Sequence, residues 1–176
     1  MPGKIARILC CISWFVLSGG FRDRLAARQE NTRSSRQDAT SPEQDKTQRE
    51  IAATVYRLVN EFRRKHGLKP LTLDPVISSR AREHSADMAQ NDGISHRGFA
   101  ERIKDIEKKI PYRAAAENVA VNLGYINPAG AAVEGWSKSP EHRKNMLGEF
   151  SLTGIGIAQG KDGRYFFTQI FVQPLK

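Results

Sequence analysis

The hydrophobic period of this chain changes once, and that change limits the folds open to it. From Arg49 to Leu147 apolar residues recur at helical spacing, and from Gly154 onward they follow strand spacing. Ile51, Val55, Leu58, Val59 and Phe62 line one face of a first helix starting near Arg49, and Gly67 stops it. Asp74 as cap and Pro75 as first residue open a second helix, with Ile77, Ala81, His84 and Met88 on one face and Gly93 at its end. A short helix over 99–108 stops before Pro111. Asn127 and Pro128 open another that runs through Val133 to Trp136, and Ser139 with Pro140 caps one more through Met146 and Leu147. The last third reads as a strand at 154–158, a hairpin turn at 160–163 and a partner strand at 165–172. Helices first and a strand pair last predict an α+β layer architecture rather than alternating parallel units.

The N-terminus carries a different message. Lys4 and Arg7 precede ten predominantly apolar positions, Ile8 to Leu17, and small residues at 18–20 follow. A charged start, a short apolar centre and a small-residue end describe a secretory signal, with the cut near Phe21. The stretch is shorter than the roughly 20 apolar residues a membrane span requires, so membrane attachment would come only through an uncleaved signal. Both cysteines, Cys10 and Cys11, fall inside it, which leaves the folded part without a disulfide, a thiol nucleophile or a cysteine metal site. Residues 21–48 are polar and too poor in large apolar groups to offset ordering entropy, and read as a flexible tether before a domain at 49–176. The net charge is +9, a balance that favours anionic surfaces in general. No basic run is interleaved with aromatics, so nucleic acid is not an expected partner.

Chemistry falls to a few side chains. His66 sits in the terminal turn of the first helix, where a cation suits the helix dipole. His84 shares its face with Ile77, Ala81 and Met88 and reads as a core histidine. His96 lies in a loop beside glycine, with no apolar period to explain it. His142 is the third residue of a capped helix, whose positive end disfavours the protonated ring, and a neutral imidazole is what metal binding or proton abstraction needs. Glu117, among small and apolar residues, is either a desolvated carboxylate, whose raised pKa would suit a general base, or a loop residue tying down backbone together with Asn118. Two histidines and a glutamate also match a three-ligand catalytic zinc site, though not in the helical zinc-protease spacing. Trp136, Phe166 and Phe171 sit at periodic positions and read as core. Glu134 and Glu141 read equally as cleft neighbours and as solvent-facing helix positions.

Several segments together resemble one known family. They are NEFRRKHGLKPLTLDP at 60–75, AREHSADM at 81–88, His96 after Ile94 and Ser95, Glu101 with Arg102, AENVA at 116–120, WSKSPEHRKNML at 136–147, GIGI at 154–157 and YFFTQIF at 165–171. In this order they resemble the bacterial branch of the family grouping cysteine-rich secretory proteins, antigen 5 and pathogenesis-related proteins. The resemblance implies a three-layer α-β-α sandwich with a mostly antiparallel central sheet, and a surface cleft holding two histidines and two glutamates. His96 matches the first histidine and Glu117 the first glutamate. The second glutamate falls near Ser139, the second histidine is replaced by Phe166, and the bacterial pattern implies that His142 enters the same cleft. Ala116 stands where a glycine is usual, a change that is mild at negative φ and strained at positive φ.

Fold does not fix chemistry, and the sequence shows no nucleophile with an adjacent base and orienting group. The leading expectation is an exported, monomeric, non-enzymatic binding module, secreted or held in the cell envelope. Its His96, Glu117 and His142 would line a cleft for a small ligand, an envelope component or a divalent metal such as zinc. Two alternatives stand beside it: a metal-dependent hydrolase or protease using the same three residues, and an envelope structural protein. Sterol or lipid binding is less supported, because the loop at 123–127 is short.

Overall fold

The structure is a computed structural model that describes residues 41–175. The signal-like segment and residues 21–40 lie outside the described residues. The first helix, α1 (Pro42–Lys65), begins inside the stretch read as a tether. Ser41 Oγ accepts from Gln44 N and Gln44 Oε1 accepts from Ser41 N, both at 3.2 Å, which closes a capping box. Pro42 takes the first helical position, and Glu43 and Asp45 complement the positive helix end. The apolar stripe begins only at Ile51, so periodicity alone starts the helix too late.

The remaining helices follow their caps. Asp74 accepts from Val76 N at 2.8 Å and Ile77 N at 3.0 Å at the start of α2 (Pro75–Gln90). Gly98, at φ 75°, turns the chain into α3 (Phe99–Glu107). Asn127 accepts from Gly130 N at 2.9 Å to open α4 (Pro128–Lys138). Ser139 precedes α5 (Pro140–Leu147) but makes no side-chain cap, contrary to the sequence reading, because its hydroxyl turns to His142 instead.

Four strands form one sheet in the order β1-β3-β4-β2. The hairpin of β3 (Leu152–Gln159) and β4 (Tyr165–Pro174) is antiparallel as expected, closed by a turn in which Gly163 has φ 84°. Two strands escaped the sequence reading. The short β1 (Thr72–Leu73) pairs parallel with β3. The long β2 (Tyr112–Asn122) pairs antiparallel with β4, Glu117 opposite Ile170 and Asn118 opposite Gln169. Its alanines, glutamate and asparagines have low strand propensity, and pairing with β4 overrides that preference. Ala116 lies within this strand, and Asp92 is the one non-glycine residue at positive φ among the described residues, so the missing glycine introduces no strain.

The layers are those of a three-layer α-β-α sandwich. Helices α1, α4 and α5 cover one face, where Val55, Val59, Trp136, Met146, Phe167 and Phe171 are buried together. Helices α2 and α3 cover the other, around Ile77, Ala81, Ile103, Ile106 and Ile170. Phe166 is buried there with Met88, Val119 and Val121, so the position where a second histidine was expected is core. Gly154 and Gly156 on β3 let α2 lie directly on the strand. A Cβ at Gly154 would meet the Ile77 carbonyl carbon at 2.3 Å, and one at Gly156 would meet that of Ala81 at 2.1 Å.

On the opposite face the buried guanidinium of Arg63 gathers four carbonyls. Nε donates to Lys69 O at 3.0 Å, Nη1 to Met146 O at 2.8 Å and Gly148 O at 2.9 Å, and Nη2 to Phe150 O at 3.1 Å. Arg63 thereby ties the end of α5 and the turn after it to α1.

Candidate functional site

The site forms where β2 runs along the edge of the sheet. Odd-numbered residues of β2 face α2 and α3, so Glu117 points into that layer, and Asn118 points to α5 on the other side. The Glu117 side chain is only 1% exposed, and a buried carboxylate needs partners. Arg102 on α3 supplies most of them: Nε is 3.2 Å from Oε2, and Nη2 is 2.8 Å from Oε1 and 2.7 Å from Oε2. His96, in the loop between α2 and α3, places Nδ1 3.0 Å from Oε1. A carboxylate has about four lone-pair sites, and these four contacts occupy them. The lone desolvated carboxylate on which a general-base role was conditional is absent, because Arg102 lies against it.

The His96 loop is fastened from several sides. His84 Nε2 donates to Ser95 O at 2.7 Å, and Arg102 Nη1 donates to Arg97 O at 2.8 Å. His84 is buried, as the core reading predicted, and its ring stands 3.9 Å from Glu117 Oε1, too far for a hydrogen bond. The His96 side chain remains 45% exposed. Its Nδ1 faces an acceptor and therefore carries a proton, so in the neutral ring Nε2 is left as an acceptor at the surface.

His142 arrives from the other side of β2. Its carbonyl accepts from Asn118 Nδ2 at 3.1 Å, and its Nδ1 lies 2.9 Å from Ser139 Oγ. Asn145, one turn on, donates to Asn118 Oδ1 at 2.9 Å and to Glu117 O at 3.3 Å. These two asparagines lock α5 to the outer edge of β2 and set the histidines of both layers around it. Burial lowers the pKa of His142, the neighbouring His96 lowers it further, and Glu141 partly offsets them. Glu134 is exposed and pairs with Lys138, away from this constellation. His66 lies at the far end of α1, where it is the C-cap residue. Its Nδ1 donates to Phe62 O at 2.8 Å and its Nε2 accepts from Arg143 at 3.0 Å.

Among the described residues no three His, Cys, Asp or Glu side chains gather as a metal ion would require. The three-ligand zinc centre expected of His96, Glu117 and His142 does not fit this arrangement, since the Glu117 oxygens are engaged by Arg102 and His96. Sequence reasoning missed Arg102 as a site residue. The signal was available, because Arg102 shares the stripe of Phe99 and Ile106 on α3, and a charge on an apolar stripe needs a partner.

The histidines give the fold a pH dependence. Burial lowers the pKa of His84, with Glu117 opposing and Arg102 assisting, and His142 is lowered as described above. Both rings therefore take up protons more readily in the unfolded chain, whose histidines titrate near 6.5. Stability is full above about pH 6.5 and falls as the pH drops below it. Thermal unfolding between pH 7.5 and 5 should show a falling midpoint, and His142→Asn should flatten the fall. A midpoint that rose on acidification would contradict this.

Comparison with known proteins agrees with the architecture. The model of the cysteine-rich secretory protein family (CAP) matches residues 56–171. The chain is 34% identical over 125 residues to the uncharacterized membrane protein YlbC of Bacillus subtilis, covering 68% of this chain and 33% of that protein. It is 36% identical over 121 residues to the uncharacterized protein YkwD of the same organism, covering 67% and 45%. The chain thus spans less than half the length of these relatives. Among solved structures, an extracellular protein containing an SCP domain from Bacillus anthracis superposes with a TM-score of 0.62 at 28% identity, covering 76% of this chain and 44% of that one. From Tyr56 to Phe171, in sequence and in layer order alike, this chain belongs to the cysteine-rich secretory protein family.

Proposed function

We propose that this is an exported, non-enzymatic binding module whose cleft, rimmed by His96 and His142 and floored by Glu117, holds a small ligand. The observation that carries the reading is the state of His96. Its ring is oriented from behind by a buried, fully partnered carboxylate and presents its other edge to solvent. Such a fixed, half-exposed polar group is what a binding site requires for orienting a ligand. The lowered pKa of His142 supplies a second, neutral imidazole beside it. Export is supported by the basic-apolar-small pattern at 4–20 and by the extracellular description of the B. anthracis relative. Among the described residues no helix is long and apolar enough to cross a membrane.

The test is a histidine-labelled NMR screen against small hydroxyl- and amide-bearing fragments. Saturable shifts are expected at the His96 and His142 imidazoles, with His96→Ala weakening binding at least tenfold. Shifts mapping elsewhere, or surviving unchanged in His96→Ala, would remove the cleft from the account. Turnover of a fragment would overturn its non-enzymatic part. Export is checked by expressing the full chain in a bacterium, where recovery in the cytoplasmic fraction with an intact N-terminus would contradict it.

A further inference from the structure

Beside the only buried acidic side chain among the described residues stands a cation that belongs to the chain itself. We infer that Arg102 is the resident counter-cation of the cleft, and that it bars divalent metal from Glu117 and so leaves a site suited to uncharged, hydrogen-bonding ligands. This builds on the cleft proposed above. Its test reads metal, so a cleft that captured no fragment would leave it standing.

Three observations carry the inference. The Arg102 side chain is 12% exposed and that of Glu117 1%, so water does little to screen the pair. The guanidinium forms a fork on both carboxylate oxygens, the strongest geometry this pair adopts, and it cannot shed its proton to admit another cation. A zinc ion bound to either oxygen at about 2.0–2.2 Å would sit within about 5 Å of a full positive charge already in contact with that carboxylate. The incoming ion would therefore have to displace Arg102, whose Nη1 is also held by Arg97 O at 2.8 Å.

Taking the cation away changes the account. Without Arg102 both Glu117 oxygens open beside the half-exposed His96, whose Nδ1 is 3.0 Å from Oε1. A carboxylate and an imidazole offer a divalent cation two donors once the His96 Nδ1 proton is displaced, while His84 Nε2 stays bound to Ser95 O. Arg102 is thus a specificity-determining residue, and its replacement should convert the site from metal-excluding to metal-binding.

The experiment is a calorimetric titration of zinc chloride into the metal-stripped full chain. Four proteins are compared: the natural sequence, Arg102→Met, Glu117→Gln and the double variant, each checked for folding by circular dichroism. Arg102→Met is expected to bind zinc at least tenfold more tightly than the natural chain, and adding Glu117→Gln should abolish the gain. Glu117→Gln alone should leave the zinc affinity of the natural chain within twofold. No gain in a folded Arg102→Met would overturn the inference. So would a tenfold loss in Glu117→Gln alone, which would place Glu117 among the ligands despite Arg102. That single variant decides the question even if Arg102→Met does not fold.

Discussion

Replacing Gly156 with alanine is expected to lower stability by about 3 kcal/mol or more in urea unfolding, the upper range for overpacking a rigid contact. The added methyl carbon would lie 2.1 Å from the Ala81 carbonyl carbon and 2.2 Å from both its oxygen and Arg82 N. These are backbone atoms of α2, so no side chain can swing aside to relieve the clash. The helix must lift off β3, and with it goes the packing of Ile77 and Ala81 against Ile170. Gly93→Ala is the control, because its Cβ would meet only Asn91 O at 3.7 Å. That change should stay within about 0.5 kcal/mol of the natural chain. A Gly156→Ala protein of nearly natural stability would show that α2 sits loosely on the sheet.

Arg63→Met is expected to cost about 3–5 kcal/mol, comparable to breaking a buried charged network. The substitution keeps much of the buried stem and removes donors from four carbonyls in two chain segments. Burial lowers the pKa of Arg63, yet the guanidinium remains charged and its fork reaches directions a lysine ammonium cannot. Arg63→Lys should therefore rescue little. The carbonyls at the end of α5 would lose their anchor, and the shift should reach His142 on the same helix. A loss below about 1 kcal/mol would mean that water replaces the guanidinium without penalty.

How much of this was legible in the sequence depends on where the signal was local. Asp74 with Pro75, Asn127 with Pro128, and the turn at 160–163 announce their elements through chemistry within a few residues, and all appear where they were read. The strand β2 does not announce itself, since Ala114, Ala115 and Ala116 become strand only by pairing with residues more than fifty positions later. The start of α1 was missed because its capping box precedes the first apolar residue of the stripe. His96 and Glu117 stood out by context, and the structure places them in contact. Arg102 could not be assigned as their partner without knowing that α3 folds over β2. Asn145 looked like an ordinary helix residue because its role is to satisfy a strand edge that sequence reading had not found.

The position of β4 has a consequence for how the molecule comes into being. The last strand among the described residues lies between β3 and β2, and apart from the two-residue β1 pairing every ladder of the sheet includes it. A nascent chain that has not yet yielded residues 165–174 therefore has helices but almost no sheet. The β2–β4 contacts join residues more than forty positions apart and form late and slowly. For a chain synthesised from its N-terminus, this order of assembly postpones formation of the sheet until residues 165–174 have emerged.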